Sequence, residues 1–323
     1  MSSLQQIKKR VFLVKNSKKV TNALQMISVA KMKHARELLQ NIQFYSDAVV
    51  TFMQKIAHTA HSADLDAKTK QFFKSPNKKA HALLVLFAPT KGFCGALISS
   101  LHAYVNTFIQ EKNHRVGFKS IGLQYKSKFI LESLNDMIVD AVFEDPVGDK
   151  TRFELEAQFQ FILKGYFSGD YSEVYLIYPK YIDVFTYKPV YEQLLPLSPA
   201  VFEAIFKHDK SSSSKQRMPN NTLDMSEEQA VNQLANDIQH AEIEPSVEIL
   251  FKEALERYLI NRLMFATINT KASEFSARSI AMKNATENAD ALEQSLQLEF
   301  NKKRQELITS NLLDIMGAIY GTK

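Results

Sequence analysis

The C-terminal stretch of the chain, from Pro245 to Lys323, has no internal proline and no glycine before Gly317. Because proline and glycine most often interrupt or end a helix, this composition predicts one helix of roughly seventy residues. At about 1.5 Å per residue such a helix is on the order of 100 Å long, several times the usual length in globular proteins. A helix of that length needs a partner that covers its apolar side chains.

Apolar side chains repeat along this stretch at alternating spacings of three and four residues. The first series is Met282, Ala285, Ala289, Leu292 and Leu296, and after a shift near Phe300 a second series runs through Ile308, Leu312, Ile315 and Ile319. A heptad repeat with one interruption is typical of a coiled coil. The alternative is a set of shorter amphipathic helices, for which the sequence has no proline or glycine breaks.

A second long helix is predicted at the other end of the chain, from Leu4 to about Ser62. Its apolar positions form two series on either side of a polar interruption at Lys15–Asn22, namely Leu4, Ile7, Val11, Val14 and then Leu38, Ile42, Tyr45, Val49, Phe52, Ile56. Two heptad helices at opposite ends of one chain most economically pair with each other, antiparallel, with a domain inserted between them. The pairing would hide both apolar stripes.

The middle of the chain has the pattern of an α/β domain. The apolar run His81–Ala88 is followed by the turn residues Pro89–Gly92 and by a helical pattern from Ala96 to about Glu111. Further strands are predicted near Arg115–Ile121, Met137–Val142, Glu173–Tyr178 and Val184–Leu195, and further helices at Lys126–Leu134 and Arg152–Tyr166. This alternation predicts a Rossmann-like, three-layer domain around a mostly parallel sheet.

Two polar stretches separate these parts. Residues 63–79 are predicted to be a linker, and residues 199–244 a mobile loop with a short helix at Ser226–His240. The predicted organisation is an N-terminal coiled-coil helix at 1–62, an α/β domain at 80–198, the insertion at 199–244 and a C-terminal coiled-coil helix at 245–323.

Nucleotide-binding motifs are missing from the α/β region. Gly92 and Gly95 enclose only two residues, which does not match G-x-G-x-x-G, and the sequence contains no G-x-x-x-x-G-K-[ST]. The two glycines are predicted to form a tight strand-to-helix turn instead. We therefore expect no bound nucleotide cofactor in this chain. The eight histidines are scattered and no carboxylate or cysteine cluster accompanies them, so we expect no metal site either. A disulfide within the chain is excluded, because Cys94 is its single cysteine.

Positive charge is concentrated at the start of the chain, where no acidic residue occurs before Glu37. The basic residues there are Lys8, Lys9, Arg10, Lys15, Lys18, Lys19, Lys31, Lys33 and Arg36. Such a segment predicts a negatively charged partner. The alternatives are a solvated basic face, or nucleic-acid binding, which no aromatic or glycine pattern supports. No apolar run approaches eighteen residues, so any membrane association would be indirect.

Five stretches of the chain, in the same order, resemble motifs of the gamma-subunit family of rotary F-type ATP synthases. They are IKKRVFLVKNSKKVTNALQMISVAKMKHA at Ile7–Ala35, KGFCGAL at Lys91–Leu97, LLPL at Leu194–Leu197, ASEFSARSIAMKNATENA at Ala272–Ala289 and LQLEFNKKRQELIT at Leu296–Thr309. The resemblance covers most of the chain and is strongest at its two ends.

The resemblance implies a central rotor shaft without a catalytic site of its own. The coiled coil would turn inside a ring of three α and three β subunits, cycle the catalytic β subunits through their conformations and couple them to proton flow through the membrane rotor ring. The α/β domain would contact the ε subunit and that ring, and ATP and Mg would be bound by the partner subunits. The resemblance further implies a peripheral position on the cytoplasmic face of the bacterial inner membrane, and no nucleic-acid partner.

The resemblance also implies roles for individual residues that match positions of the family's motifs. Arg278, Gln305 and Thr309 match residues that bond the shaft to loops of the catalytic hexamer, and Leu24 matches a position near an acidic lever of β. The basic residues of the first helix would face that lever. The apolar residues at the C-terminal tip, which would lie in an apolar bearing of the hexamer, are Leu312, Ile315, Met316 and Ile319. Each of these residues could instead be an ordinary surface residue of the coiled coil.

The chain also departs from the family pattern. Pro89-Thr90-Lys91-Gly92 replaces S-D-R-G before the turn, and the tail at Gly317–Tyr320 is bulkier than the family's small residues. Two alternatives therefore stay open. One is the shaft of a divergent rotary ATPase that drives a process other than proton translocation, and the other is a coiled-coil adaptor outside the ATPases.

Overall fold

A computed structural model of the chain describes residues 3–59, 67–75, 77, 79–112, 117–123, 125–134, 137–143, 151–197 and 246–320. Its helices are α1 (Ser3–Thr59), α2 (Ala67–Gln71), α3 (Leu97–Lys112), α4 (Tyr125–Glu132), α5 (Thr151–Phe167) and α6 (Val247–Tyr320). Its strands are β1 (His81–Phe87), β2 (Phe118–Leu123), β3 (Ile138–Phe143), β4 (Tyr171–Tyr181) and β5 (Tyr187–Leu195). The insertion predicted at 199–244 lies outside the described residues.

Two long terminal helices and a central sheet make up this fold, which confirms the predicted fold class. The C-terminal helix α6 is continuous over 74 residues, and the N-terminal helix α1 over 57 residues. The short helix α2 was not predicted, because its segment was assigned to a polar linker. Thr69 and Phe72 are fully or almost fully buried there, so an apolar anchor holds this stretch against the core.

The five strands form one sheet in the order β3-β2-β1-β4-β5. The pairs β3-β2, β2-β1 and β1-β4 are parallel, and β5 joins the edge of β4 antiparallel. A mostly parallel sheet was predicted, and the antiparallel edge follows from the short connection between β4 and β5, which reverses the chain direction.

Successive residues of β1 contribute to two apolar cores on opposite faces of the sheet. Leu83, Val85 and Phe87 face a core built with side chains of α1, α5 and α6 and with Phe72, which follows α2. Ala82, Leu84 and Leu86 face a second core built with α3 and α4. Because side chains alternate along a strand, a run of seven mostly apolar residues fits a strand covered on both faces.

The chain divides into two compact units. The coiled-coil unit comprises Met1–Met32, Gly92–Gly95 and Phe275–Lys323, and the sheet unit comprises Lys33–Lys91 and Ala96–Glu274. In the sheet unit, the later part of α1 and the earlier part of α6 pack into the core around Met53, Ile56 and Phe251, which are fully buried.

Within the coiled-coil unit, α1 and α6 run antiparallel. Lys18 pairs with Asp290, Thr21 hydrogen-bonds Thr286, and the Lys31 ammonium lies over the Phe275 ring. The partner's number falls as the number in α1 rises, which defines the antiparallel direction.

Only part of each predicted apolar stripe is covered in the structure. In the coiled-coil unit Leu292 is 50% exposed, while the neighbouring Glu293 is partly covered and bonds Lys18. In the sheet unit Tyr45 is 49% exposed, while Ser46 is buried. At both places the covered residue is polar and lies one position further along, so a count of apolar residues chose the wrong neighbour.

Membrane spans and metal clusters are both missing from the described residues. None of the described helices is long and apolar enough to cross a membrane. Within the same residues, no three His, Cys, Asp or Glu side chains cluster in a way that could hold a metal ion.

Candidate functional site

A polar layer lies in the middle of the coiled coil, at the place where the sequence predicted a polar interruption between the two apolar series of the first helix. The Lys18 ammonium donates to Asp290 and, at 3.5 Å, to Oε2 of Glu293. The Thr21 and Thr286 hydroxyls share a hydrogen bond of 2.7 Å. The hydrogen bond to Asp290 and the charges of both carboxylates outweigh desolvation and raise the pKa of Lys18.

This layer means that α1 does not lose its partner between Lys15 and Asn22. The positions at Val14, Lys18 and Thr21 are all partly covered and continue the spacing of three and four residues. Polar residues that match across a coiled coil fix its register, because any slip leaves them opposite apolar side chains. Lys18 therefore belongs to the helix pair, which separates it from the other basic residues of α1.

The remaining basic residues lie on the solvent side of α1. All of Lys8, Lys9, Arg10, Lys15, Lys19, Lys31, Lys33 and Arg36 are exposed. Lys31 also lies 5.7 Å from the centre of the Phe275 ring, so its charge is partly directed to an aromatic face. Leu24 is partly covered.

Among the residues that the structure describes, no helix covers the last part of α6. Phe300 and Asn301 are the last partly covered positions, and every residue from Lys302 to Met316 is exposed. Six of these exposed residues are large and apolar, namely Leu307, Ile308, Leu312, Leu313, Ile315 and Met316. We call residues 302–316 the free end of α6.

Two other predicted contact residues lie on this free end. Gln305 and Thr309 are exposed, and the Thr309 hydroxyl donates to the Gln305 carbonyl at 3.0 Å, one helical turn earlier. The predicted residue Ile319 lies in the last helical turn, where the structure does not describe side chains.

Arg278 differs from these residues, because it is only 8% exposed. Its Nε donates to the Gly92 carbonyl at 3.2 Å, and its guanidinium lies 5.9 Å from the centre of the Phe275 ring. In the same turn Phe93 and Gly95 have left-handed backbones, with φ of 62° and 56°, whereas Gly92 does not. The Phe93 side chain is 74% exposed. Arg278 thus holds a turn that displays an aromatic ring.

In the sheet unit, side chains of α6 meet the carboxyl edge of the sheet. In open α/β sheets, ligands bind beyond this edge, where the connections to neighbouring strands diverge, which here is between β1 and β4. Glu274 accepts hydrogen bonds from the backbone N–H groups of Thr90 and Lys91, which follow β1. Ser273 donates to the Pro179 carbonyl near the end of β4. The edge is thereby bonded to the chain's own helix.

A second polar contact between α6 and the sheet is an ion pair. Arg262 Nε donates to Oε1 of Glu192 on β5 at 2.6 Å, and the Tyr178 hydroxyl donates to the other carboxylate oxygen at 3.2 Å. Burial disfavours the Arg262 charge, but the hydrogen bonds and charge of Glu192 prevail, so the pKa of Arg262 lies above its usual value. Burial, the largest cause, also raises the pKa of Tyr178.

The contacts of α6 with the sheet were not predicted from the sequence. Their signal is a run of polar residues in a helix that must cover an apolar core. Buried polar residues of this run are Thr267, Asn269, Thr270, Ser273, Glu274 and Ser276. A buried polar side chain needs a hydrogen-bond partner. Thr267 and Thr270 find theirs within α6, at carbonyls one turn earlier, whereas Asn269, Ser273 and Glu274 bond backbone groups outside the helix.

The fold and the site together define a class of protein. Two terminal helices pair as an antiparallel coiled coil, the second helix continues alone, and a mixed sheet domain lies between the two helices in the sequence. This architecture defines the class, which is a two-helix coiled-coil protein with an inserted α/β domain.

Comparison with known proteins gives the particular family. The family model described as ATP synthase matches residues 3–320. The "ATP synthase gamma chain" of Paraburkholderia phymatum is 30% identical over 98% of both chains, and that of Sulfurovum sp. is 27% identical over the full length of both. The chain therefore belongs to the ATP synthase gamma family.

Solved structures show the same fold. A chain of the Euglena gracilis mitochondrial ATP synthase, in a structure of OSCP, F1 and c-ring, superposes with a TM-score of 0.59 at 16% identity, covering 99% of this chain and 94% of that one. A chain from the central stalk and c-ring of the Tetrahymena thermophila mitochondrial ATP synthase gives a TM-score of 0.54 at 21% identity, with 82% and 99% covered.

Proposed function

We propose that this chain is the rotor shaft of a rotary F-type ATPase, which couples its rotation to the conformational cycle of catalytic β subunits and to proton flow through a membrane rotor. The observation that carries the proposal is the free end of α6. Six large apolar side chains on one uncovered helix are a surface that needs a partner, and the inside of a ring of subunits would cover it on all sides.

The coiled coil supplies the mechanical basis. Two paired helices are stiff, and their sides differ, since one side of α1 is basic and the free end of α6 is apolar. A single asymmetric shaft can therefore present a different surface to each of three β subunits. Rotation changes which surface each subunit meets, and this shifts each catalytic site between its conformations.

The basic residues of α1 are proposed to face an acidic lever of β. Each exposed ion pair would contribute about 0–1 kcal/mol, so these charges guide the approach of the two surfaces rather than hold them together. Lys18 is left out of this surface, because it already bonds Asp290 and Glu293.

Individual contacts are proposed on both parts of the coiled-coil unit. Leu24, Gln305 and Thr309 would touch the catalytic hexamer directly. Arg278 would act through the turn at residues 92–95, because its side chain is buried and bonds Gly92. The tip residues Leu312, Ile315, Met316 and Ile319 are proposed to lie in the apolar bearing.

The proposed assembly contains three α and three β subunits, an ε subunit and a membrane rotor ring. This chain would bind no cofactor and catalyse nothing, and ATP and Mg would be held by the partner subunits. Its position would be the cytoplasmic face of a bacterial inner membrane, with indirect membrane association and no nucleic acid. Bacterial relatives along the full length support this position, and the family match argues against an adaptor outside the ATPases.

Identification of the native partners tests the proposal. The chain, carrying an affinity tag, is isolated from membranes in mild detergent, and its partners are identified by mass spectrometry. We expect α, β, ε and rotor-ring subunits in one complex. Isolation of α and β with a different set of lower partners would instead indicate a rotary machine that does not drive protons, and isolation without α and β would refute the proposal.

A further inference from the structure

We infer that Glu274 is a positioning residue that locks α6 to the carboxyl edge of the sheet, so that the sheet domain turns together with the helix. The inference rests on the proposed function, because it concerns how torque passes through the shaft. It assigns a role to a buried carboxylate in the sheet unit that lies within the matched stretch Ala272–Ala289 but is not among the residues to which the resemblance gives a contact.

The Glu274 carboxylate is buried and bound by backbone N–H groups, as an anion is in an anion-binding site. Its side chain is 3% exposed, and each carboxylate oxygen accepts a backbone N–H, from Thr90 at 2.9 Å and from Lys91 at 3.2 Å. A buried carboxylate is unfavourable unless its oxygens are hydrogen-bonded, and hydrogen bonds to a charged acceptor are about twice as strong as neutral ones. The carboxylate therefore fixes two consecutive residues of the chain just beyond β1.

Two further side chains of α6 extend this contact to β4. Ser273 Oγ donates to the Pro179 carbonyl at 3.0 Å, and Asn269 Oδ1 accepts the Tyr181 backbone N–H at 3.1 Å. Asn269 is itself oriented by a bond from its Nδ2 to the Phe265 carbonyl at 2.9 Å. We call Asn269, Ser273 and Glu274 the edge clamp. It joins one helix to the ends of two neighbouring central strands.

Directional bonds matter here because the rest of this contact is apolar. Leu255, Leu259 and Leu263 of α6 are fully buried in the core against the sheet. Apolar burial is strong but non-directional, so it resists separation better than it resists a small rotation or sliding of the helix. Hydrogen bonds weaken steeply with angle and distance. The edge clamp thus supplies the resistance to twisting that the core lacks.

The test uses the complete enzyme complex with Glu274→Ala, Glu274→Gln and, as a matched control, Glu253→Gln, which changes an exposed carboxylate on the same helix. A bead is attached to a cysteine introduced at the exposed Lys188 on β5, while the hexamer is fixed to a surface. Cys94 is 2% exposed and does not compete for the label. The angular spread of the bead during pauses reports the torsional stiffness between hexamer and sheet.

We expect Glu274→Ala to broaden the angular spread and to speed amide exchange at Thr90 and Lys91 by about tenfold or more, with ATP hydrolysis and subunit content unchanged. Glu274→Gln keeps one acceptor oxygen and should lie between Glu274→Ala and the wild type. Glu253→Gln should match the wild type. Ser273→Ala removes one neutral hydrogen bond and should broaden the angular spread in the same direction but by less. This variant replaces Glu274→Ala in the test if the Glu274→Ala complex does not assemble.

Faster exchange at Thr90 and Lys91 with an unchanged angular spread would overturn the inference, since the bonds would then be local and carry no torque. An unchanged exchange rate would overturn it as well. Failure of the proposed function has a different signature, because the wild-type complex would then show no ATP-driven rotation of the bead at all.

Discussion

Two arginines of α6 form ion pairs with glutamates of other elements, and the two pairs differ in burial. Arg262 and Glu192 have side chains that are 21% and 26% exposed, and Glu192 also accepts the Tyr178 hydroxyl. Arg257 and Glu156 are 44% and 35% exposed, with 3.4 Å between Nη1 and Oε1. The two arginines are five residues apart on one helix, so they form a matched comparison within the sheet unit.

We expect Glu192→Gln to lower the free energy of unfolding by about 2–4 kcal/mol, because it leaves the Arg262 charge largely buried and without its carboxylate. Glu156→Gln should cost about 0–1 kcal/mol, since solvent already screens that pair. Denaturant unfolding of the purified chain, followed by circular dichroism, measures both values. Equal losses in the two variants would show that burial does not govern these pairs.

At the residue scale, the sequence predicts charge and exposure better than it predicts partners. It singles out Lys18 as one of several basic residues, but nothing near Lys18 shows that Asp290 lies opposite. Glu274 was missed for the same reason, since Thr90 is 184 positions away along the chain. Local patterns carry no information on pairs of that separation until the fold brings them together.

At the element scale, the proposed role of the free end of α6 in assembly can be tested directly by mutation. Leu312→Ser combined with Ile315→Ser should reduce assembly with α and β subunits, because the apolar surface proposed for the bearing would lose two of its side chains, each worth roughly 1.5–3 kcal/mol when fully buried. Yield of the complex and its thermal stability are the measurements, and ATP hydrolysis per assembled complex should change less.

The matched control for this variant is Leu292→Ser combined with Leu298→Ser. Both leucines are exposed on the same helix, at 50% and 72%, but lie before the free end. If the control reduces assembly as much as the tip variant does, the free end has no special role in assembly and the bearing assignment is wrong.

The extent of both long helices could be predicted because helix continuation is a local property. The absence of proline and glycine and the spacing of three and four residues are visible without a partner. Which side of a helix is covered depends on its partner and is not a local property. The prediction therefore placed Leu292 in the covered stripe, whereas Glu293 faces Lys18 in the structure. The strands were located to within a few residues, because a short apolar run such as β1 is a signal contained in the strand itself.

At the scale of the whole molecule, the uneven charge predicts how assembly depends on salt. The net charge is only +5, yet the first acidic residue is Glu37. We expect association with the catalytic subunits to slow as ionic strength rises, because attraction between an exposed basic surface and an acidic partner is screened within about 8–10 Å at 0.1–0.15 M salt. Stopped-flow mixing at several salt concentrations measures this dependence.

The test of this charge effect is a variant in which four exposed lysines of α1 become glutamine, at Lys8, Lys9, Lys15 and Lys19. At low salt its association rate should be lower than that of the wild type, and the rate should vary less with salt concentration than the wild-type rate does. The control makes the same net change on exposed lysines of the sheet unit, at Lys70, Lys79, Lys128 and Lys188. A control that slows as much as the α1 variant would mean that net charge, and not its position, controls association.

The antiparallel pairing of the first and last helices also determines when the coiled coil can form. Lys18 and Asp290 are 272 positions apart, so the pair cannot close before nearly the whole chain has left the ribosome. Until then the covered stripe of α1, with Ile7, Met32 and Ala35, has no helix to cover it. An uncovered apolar stripe invites aggregation. We expect the exposed lysines along the same helix to repel other copies during this interval, so the charge proposed to guide assembly would also help to keep the unfinished chain in solution.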